Sequence, residues 1–246
     1  MVEYMPLARN KNQIKTKQML KLDKITKYYE VPETTIRRTV LDELSLEIAK
    51  GDRIAILGPS GSGKSTLLNV MSSLDLPNSG TVKFDGEEIS NYASDQLAQF
   101  RNKKIGFVFQ SHHLLPQLSL LENVLLPFLP EKDRLVKKEA EKRALELLDF
   151  VGLSNQIHQR PGQMSGGECQ RAAVVRALIH QPKLIFADEP TGSLDKESAD
   201  QLAKLFVRIN EEQAVTMIVV THSQELAQYM NRICRIENGK IQETHN

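Results

Sequence analysis

The sequence lacks a charge excess, a cysteine framework and any long apolar run. Lysine and arginine total 32 against 31 aspartates and glutamates, a net charge of +1. A chain balanced this evenly has no surplus of cations with which to neutralise a phosphate backbone, so no nucleic-acid partner is expected. Two cysteines, Cys169 and Cys234, are too few for disulfide stapling or a cysteine-rich metal site, and they fit a reducing compartment. No stretch approaches the roughly 18 apolar residues of a membrane-spanning helix. The polar, basic start has no apolar segment of the kind that marks a secretory signal. Repeats and low-complexity blocks are missing too. What is left is an ordinary globular composition, 40% hydrophobic and 26% charged over 246 residues. That is enough chain for one large domain, or a core with a subdomain, and a sizeable interior. One asymmetry survives the averaging: residues 1–40 carry nine lysines and arginines against four acids. A solvated arm accounts for it, and so does a weak attraction to anionic lipid or a membrane partner.

Residues 1–16 read as a polar, basic arm. Short extended runs at 20–26 and 44–48 suit an antiparallel edge sheet. Four further apolar runs are Arg53–Leu57, Ile105–Phe109, 184–187 and 217–220. The first, third and fourth are continuous and nearly free of polar residues, as strands buried on both faces of a parallel sheet are. Helical periodicity at 65–74 and 198–210 follows the first and third, which predicts a doubly wound α/β core with a mostly parallel sheet. Residues 136–151 set Ala140, Ala144, Leu147, Leu148 and Val151 on one helical stripe. Together with 118–126 they predict that 111–165 is mostly helical, a helical subdomain inserted between strands of the core and punctuated by Pro127, Pro130 and Pro161.

In doubly wound sheets ligands bind beyond the carboxyl ends of the strands. After the first run come Gly58, Pro59, Ser60, Gly61, Ser62, Gly63, Lys64, Ser65 and Thr66, the G-x-x-x-x-G-K-[ST] phosphate loop. The glycines let backbone N–H groups turn inward, Lys64 supplies a cation to the β and γ phosphates, and Ser65 offers a hydroxyl to Mg²⁺. After 184–187 come Asp188 and Glu189. Asp188 suits the Mg²⁺ shell and Glu189 the general base that polarises an attacking water. After 217–220 come Thr221 and His222, whose imidazole can bond a γ phosphate or orient the water. Gln110 follows the second run; its neutral amide can touch both Mg²⁺ and water and begins the helical insert.

One motif is left. Met164 is followed by Ser165, Gly166, Gly167 and Glu168, opening a helical pattern over 169–179. Ser165 is a good N-cap, and two glycines leave backbone N–H groups open to a phosphate. Two phosphate cradles on one chain suggest a two-fold dimer in which each subunit lends its Ser165 end to the other's nucleotide.

As an ordered set these motifs resemble the nucleotide-binding subunit of an ABC transporter, over about 19–242. Gly58 to Thr66 matches the Walker A loop, Gln110 the Q-loop, Ser165 to Glu168 the signature with Met164 in place of its leading leucine, and 184–188 Walker B. Glu189 corresponds to the catalytic glutamate, Ser193, Leu194 and Asp195 to the D-loop, and His222 to the switch histidine. Tyr29, or the adjacent Tyr28, corresponds to the aromatic residue that stacks on adenine. The resemblance implies an ATPase domain over 17–246 with an N-terminal antiparallel β subdomain. It also implies two ATP molecules with Mg²⁺ held between the subunits of a homodimer, and a helical insert that grips a cytoplasmic helix of a membrane permease.

A closer resemblance lies in residues 106–110, in Leu114, Leu115 and Pro116, in 121–124 and in 187–195. These are similar to the lipoprotein-release and macrolide-export ATPases; cell-division and peptide-resistance ATPases share much of the pattern. The chain stops 24 residues after His222 with no membrane span, which matches the separate-subunit arrangement at the cytoplasmic face of the inner or plasma membrane. ATPases acting on DNA would put long coiled coils or zinc modules between Gln110 and Ser165, which are only 55 positions apart. A nucleotide kinase would leave Ser165 to Glu168 and His222 without a role.

Overall fold

The structure, a computed structural model, describes residues 17–30 and 37–244; the polar arm expected over 1–16 lies outside the described residues. Its strands are β1 (Gln18–Glu30), β2 (Arg37–Ala49), β3 (Arg53–Leu57), β4 (Ser79–Phe84), β5 (Glu87–Glu88), β6 (Ile105–Phe109), β7 (Leu184–Asp188), β8 (Thr216–Thr221), β9 (Arg232–Glu237) and β10 (Lys240–Thr244). They form an antiparallel sheet in the order β2-β1-β4-β5 and a second sheet in the order β10-β9-β3-β8-β7-β6. In the second sheet every pairing is parallel except the β9–β10 hairpin at its edge.

The side-chain period of two explains why the central strands are apolar throughout. Ile54 and Ile56 of β3, Phe186 of β7 and Ile218 and Val220 of β8 face the antiparallel sheet and join one core with Leu20, Leu22, Ile25 and Leu41. Ala55 and Leu57, Ile185 and Ala187, and Met217 and Val219 face the opposite way into a second core. Each fully buried side chain of this size contributes roughly 1.5–3 kcal/mol over leaving it in water. β6 is the edge strand, and its Phe107 and Phe109 remain half-buried.

The helices are α1 (Lys64–Met71), α2 (Ser94–Lys104), α3 (Leu120–Leu125), α4 (Arg134–Phe150), α5 (Gly166–Leu178), α6 (Lys196–Gln213) and α7 (Gln224–Ala227). α1 packs in the first core through Leu67, Leu68 and Met71. α5 and α6 cover the other face of the parallel sheet with Ala172, Val175, Leu202 and Phe206. The stretch 111–165 holds α3, α4 and three short 3₁₀ turns. α4 buries Ala140, Ala144, Leu147 and Leu148, the stripe expected from the sequence. These residues share one core with α5 rather than forming their own.

A bulge in β1 governs what its far end presents. Leu20 and Leu22 face inward, but Lys24 adopts a left-handed φ of 48° and the pairing with β2 slips between Leu22 and Ile25. Inward facing then passes to Ile25 and Lys27; the pairing slips again on either side of Lys27, and the exposed Tyr29 lies on the same side as the Lys27 ammonium, with its hydroxyl on Asp75.

Candidate active site

The parallel register sets the strand ends side by side. Phe109 pairs with Asp188, Asp188 with Val220, and Thr221 with Leu57. Gln110, Glu189, His222 and Gly58 therefore all leave the same edge of the sheet, each from an adjacent strand.

The phosphate loop is built for close approach. Gly61 and Gly63 take φ of 76° and 101°, conformations that cost a side-chain-bearing residue free energy. A Cβ on Gly58 would stand 2.6 Å from the carbonyl oxygen of Ile236 in β9 and 2.6 Å from Ser62 Oγ. Lys64 Nζ donates to the carbonyls of Gly58 at 2.8 Å and Pro59 at 3.0 Å, which keeps the ammonium at the mouth of its own loop. α1 begins at Lys64 with Gly63 as its N-cap, no side-chain cap and no acidic residue in its first turn, so its first-turn N–H groups and dipole are left for an anion. Ser62 Oγ is buried without a hydrogen-bond partner, an orphaned polar atom inside the cradle.

The carboxylates differ in environment. Burial pushes the Asp188 carboxyl above its ordinary range; the Ser65 hydroxyl and Lys64 pull it back, while Glu189 adds to the rise. Ser65 Oγ stands 3.5 Å from Asp188 Oδ1, wider than a direct O–H···O bond. Glu189 takes a left-handed φ of 45°, fixed by its N–H bond to the Val220 carbonyl at 2.8 Å. Its Oε2 accepts from the Thr221 hydroxyl at 2.8 Å and the His222 backbone N–H at 3.2 Å, and Oε1 lies 2.9 Å from His222 Nδ1.

Tyr29, Arg38, Val40, Lys64, Ser65 and Glu189 are among the residues around a cleft of about 470 Å³, together with Ser60, Gly61, Gly63 and Thr66. Tyr28 is not among them; its ring packs against the Arg37 guanidinium, 4.6 Å from the centroid. Of the two tyrosines, Tyr29 is the one brought to the phosphate loop.

Gln110 is held by residues that sequence reasoning did not single out for this. Ser193 Oγ donates to its carbonyl at 3.1 Å, and Gln170 Nε2 of α5 donates to the neighbouring Phe109 carbonyl at 2.7 Å. Arg176, also on α5, donates to the carbonyls of His112 and His113, each at 2.7 Å. The Gln110 amide lies against Gly192, where a Cβ would stand 2.9 Å from Nε2.

Ser165 caps α5: its Oγ accepts from the Glu168 N–H at 3.2 Å, and the Glu168 carboxylate accepts from the Ser165 N–H at 2.7 Å. That backbone bond is the first cause holding the Glu168 carboxyl below its usual range. Glu168 is thus committed to the capping box; Gly166 is exposed at the helix start, while Gly167 is buried against Ser198. Asp195 likewise caps α6, accepting from the Ser198 N–H at 2.9 Å and hydroxyl at 2.7 Å. Neither Ser165 nor Asp195 lines the Lys64 cleft.

The ABC transporter family profile matches residues 41–192, more than half of the chain. The chain belongs to the ABC transporter family. Within it the chain is an ATP-binding, ATP-hydrolysing subunit. The lipoprotein-releasing system ATP-binding protein LolD of Geobacter metallireducens is 44% identical over 223 residues, covering 91% of this chain and 97% of the relative. The macrolide export ATP-binding/permease protein MacB of Syntrophobacter fumaroxidans is 43% identical over 91% of this chain but is matched along only 31% of its own length. A dimeric ATP-binding cassette solved in a post-hydrolysis state with ADP and Pi superposes with a TM-score of 0.81 at 37% identity, covering 93% of this chain and all of that one. No helix among the described residues of this cassette is long and apolar enough to cross a membrane.

Proposed function

We propose that this ABC cassette is the ATPase subunit of a lipoprotein-releasing or macrolide-export type transporter. It works as a homodimer around two ATP molecules at the cytoplasmic face of the membrane and drives a separate permease. The observation that carries the dimer is the separation of the two phosphate cradles. Lys64 and Glu189 share one cleft, whereas the exposed Ser165 and Gly166 at the start of α5 lie outside it. Each cleft is completed by the Ser165 end of the partner subunit. The high identity to LolD along nearly its whole length supports the lipoprotein-release assignment.

In this reading Tyr29 stacks on the adenine, the loop from Gly58 to Gly63 and Lys64 bind the phosphates, and Thr66 supports them from α1. Ser65 and Asp188 fit Mg²⁺. They supply hard oxygen ligands, burial raises the Asp188 carboxyl more than Ser65 and Lys64 lower it, so a further cation would favour its charged form, and no cluster of three acidic, histidine or cysteine side chains competes for a metal among the described residues. A Mg²⁺ ion that Ser65 and Asp188 would hold there would supply positive charge against the charge developing on the phosphates. Glu189 accepts a proton from water as its oxygen attacks the γ phosphorus and the bond to the β–γ bridging oxygen breaks. His222 orients that water and γ phosphate, and Gln110 reports their state.

Gln110 adjoins a groove of about 250 Å³ bordered by Arg101, Asn102, Phe107, Phe109, Pro127 and Arg176. We assign this groove to a cytoplasmic helix of the permease, because Arg176 ties it to the backbone on the far side of Gln110. The test is depletion of this chain from its native cell. The reading expects lipoproteins to stay in the plasma membrane and a tagged chain to carry an integral-membrane protein from detergent extracts. Normal lipoprotein sorting after depletion would refute the substrate assignment while leaving the ATPase intact.

A further inference from the structure

The buried cation at the end of β1 points to a positioning device beneath the purine platform. Lys27 is only 8% exposed, an unusual place for a lysine unless it is paired. Its Nζ donates to Asp75 Oδ1 at 2.7 Å and to the Leu76 carbonyl at 2.8 Å. The other oxygen of the same carboxylate accepts from the Tyr29 phenol at 3.1 Å. The Lys27 ammonium also stands over the Tyr29 ring, 5.1 Å from its centroid. Asp75 is itself anchored, since its Oδ1 accepts from the Leu76 N–H at 2.8 Å. The Tyr29 ring is thus held at its hydroxyl end and covered on one face.

Asp75 sits just past the C-terminal end of α1, the helix whose first residue is Lys64. Eight residues of helix span roughly 12 Å. One short rigid rod therefore carries the phosphate cradle at its start and the anchor of Tyr29 beyond its end.

We propose that Asp75 and Lys27 are positioning residues for nucleotide recognition. They fix the angle of the Tyr29 ring, leave one face free for a purine, and set the distance between the base platform and the phosphate loop. The inference rests on the reading of Tyr29 as the surface that receives adenine. Asp75 touches no nucleotide; it acts through Tyr29.

The test uses the purified full chain and equilibrium binding of ATP and of inorganic tripolyphosphate, which has no base. Tyr29→Phe keeps the ring and removes only the bond to Asp75. It is expected to weaken ATP binding roughly 3- to 10-fold, the range for one hydrogen bond, and to leave tripolyphosphate unchanged. Asp75→Asn is expected to weaken ATP binding at least as much, since it also unpairs Lys27, and adding Tyr29→Phe to it is expected to cost little more, because the Tyr29 link is already lost. ATP affinity unaltered in Tyr29→Phe would overturn the proposal, and so would an equal loss for tripolyphosphate or a fully additive double variant. Tyr29→Ala separates the two levels. If it binds ATP as the parent does, the platform reading itself fails; if it weakens ATP while Tyr29→Phe does not, only the positioning role fails.

Discussion

His222 Nδ1 stands 2.9 Å from Glu189 Oε1, and the pair closes across the ends of two neighbouring strands. The carboxylate side chain is 17% exposed and the imidazole 72%, so the histidine lies over the glutamate as its solvent-side cover. The carboxylate is held from below by Thr221. In the proposed mechanism this arrangement orients Glu189 as the base. His222→Ala should lower kcat for ATP by roughly 10- to 100-fold with KM changed far less, because the lost interaction serves the reacting water and not ground-state binding. Thr221→Val should lower kcat by about 10-fold for the same reason. Steady-state ATPase assays check both, and a change confined to KM would contradict the orienting role.

Ser165→Arg places a bulky cation on the N-terminus of α5. Nucleotide affinity of the monomer should stay near the parental value, while hydrolysis is lost. Lys64→Ala should fail by binding nucleotide weakly. Mixing the two inactive variants should restore turnover, because one composite site of the mixed dimer joins an intact Lys64 to an intact Ser165. Absence of recovery would argue that each chain hydrolyses ATP alone.

Asp188 gives a pH-dependent signature. Burial raises its folded pKa above the unfolded value of 3.8, so protonation favours the folded state. That contribution is complete below the unfolded value and is lost as pH rises through the folded one. Asp188→Asn should therefore raise the thermal midpoint of the nucleotide-free protein at neutral pH, with the gain shrinking as pH falls toward the unfolded value. The same variant should lose the extra stabilisation that Mg²⁺ adds to ADP. Thermal melts with and without Mg²⁺ measure both effects.

Asp85 behaves in the opposite sense. It lies in the turn between β4 and β5 and pairs with Lys183 at 2.6 Å and Lys50 at 2.5 Å, clamping the antiparallel sheet to the parallel one. Its bond to Lys183, then that to Lys50, brings its carboxyl down to about 2 from 3.8. The stability this supplies is full above the unfolded value and is lost as pH falls through the folded one. Because the site is partly solvated, Asp85→Asn should cost about 1 kcal/mol at neutral pH, less than the shift alone implies. Urea titrations should show that difference narrowing between about pH 4 and about pH 2, as the linkage requires.

What was legible in the sequence was what local pattern encodes. β3 and β6 run over Arg53–Leu57 and Ile105–Phe109 as expected, while β7 and β8 extend by one polar residue at one end and at both ends beyond their apolar runs, because a strand's hydrogen bonding continues past its apolar residues. The motif residues at the strand ends were readable for the same reason, being adjacent in the chain to those runs. α2 was not foreseen: only Leu97 and Phe100 of its eleven residues are buried, too sparse a stripe to read. The β9–β10 hairpin was missed too, since its polar faces dilute the alternation. The choice between Tyr28 and Tyr29 was undecidable by counting, because extrapolating from Leu20 and Leu22 puts Tyr28 on the inner face. The register slips at Lys24 and on either side of Lys27 break that extrapolation, and only the three-dimensional pairing reveals them. The supports of the site, Thr221 on Glu189, Asp75 on Tyr29 and Gln170 beside Gln110, join positions far apart in sequence and carry no local signal.

In the proposed mechanism two copies of this chain enclose ATP, and Glu189 activates the water that cleaves it. The most direct measurement is the mass of the Glu189→Gln protein by analytical ultracentrifugation with Mg²⁺ and ATP, alongside its turnover. The account predicts a stable ATP-dependent dimer that hydrolyses at least about 10²-fold more slowly than the parent, since general-base catalysis is removed while every binding contact stays. A monomer under these conditions, or turnover at the parental rate, would contradict it.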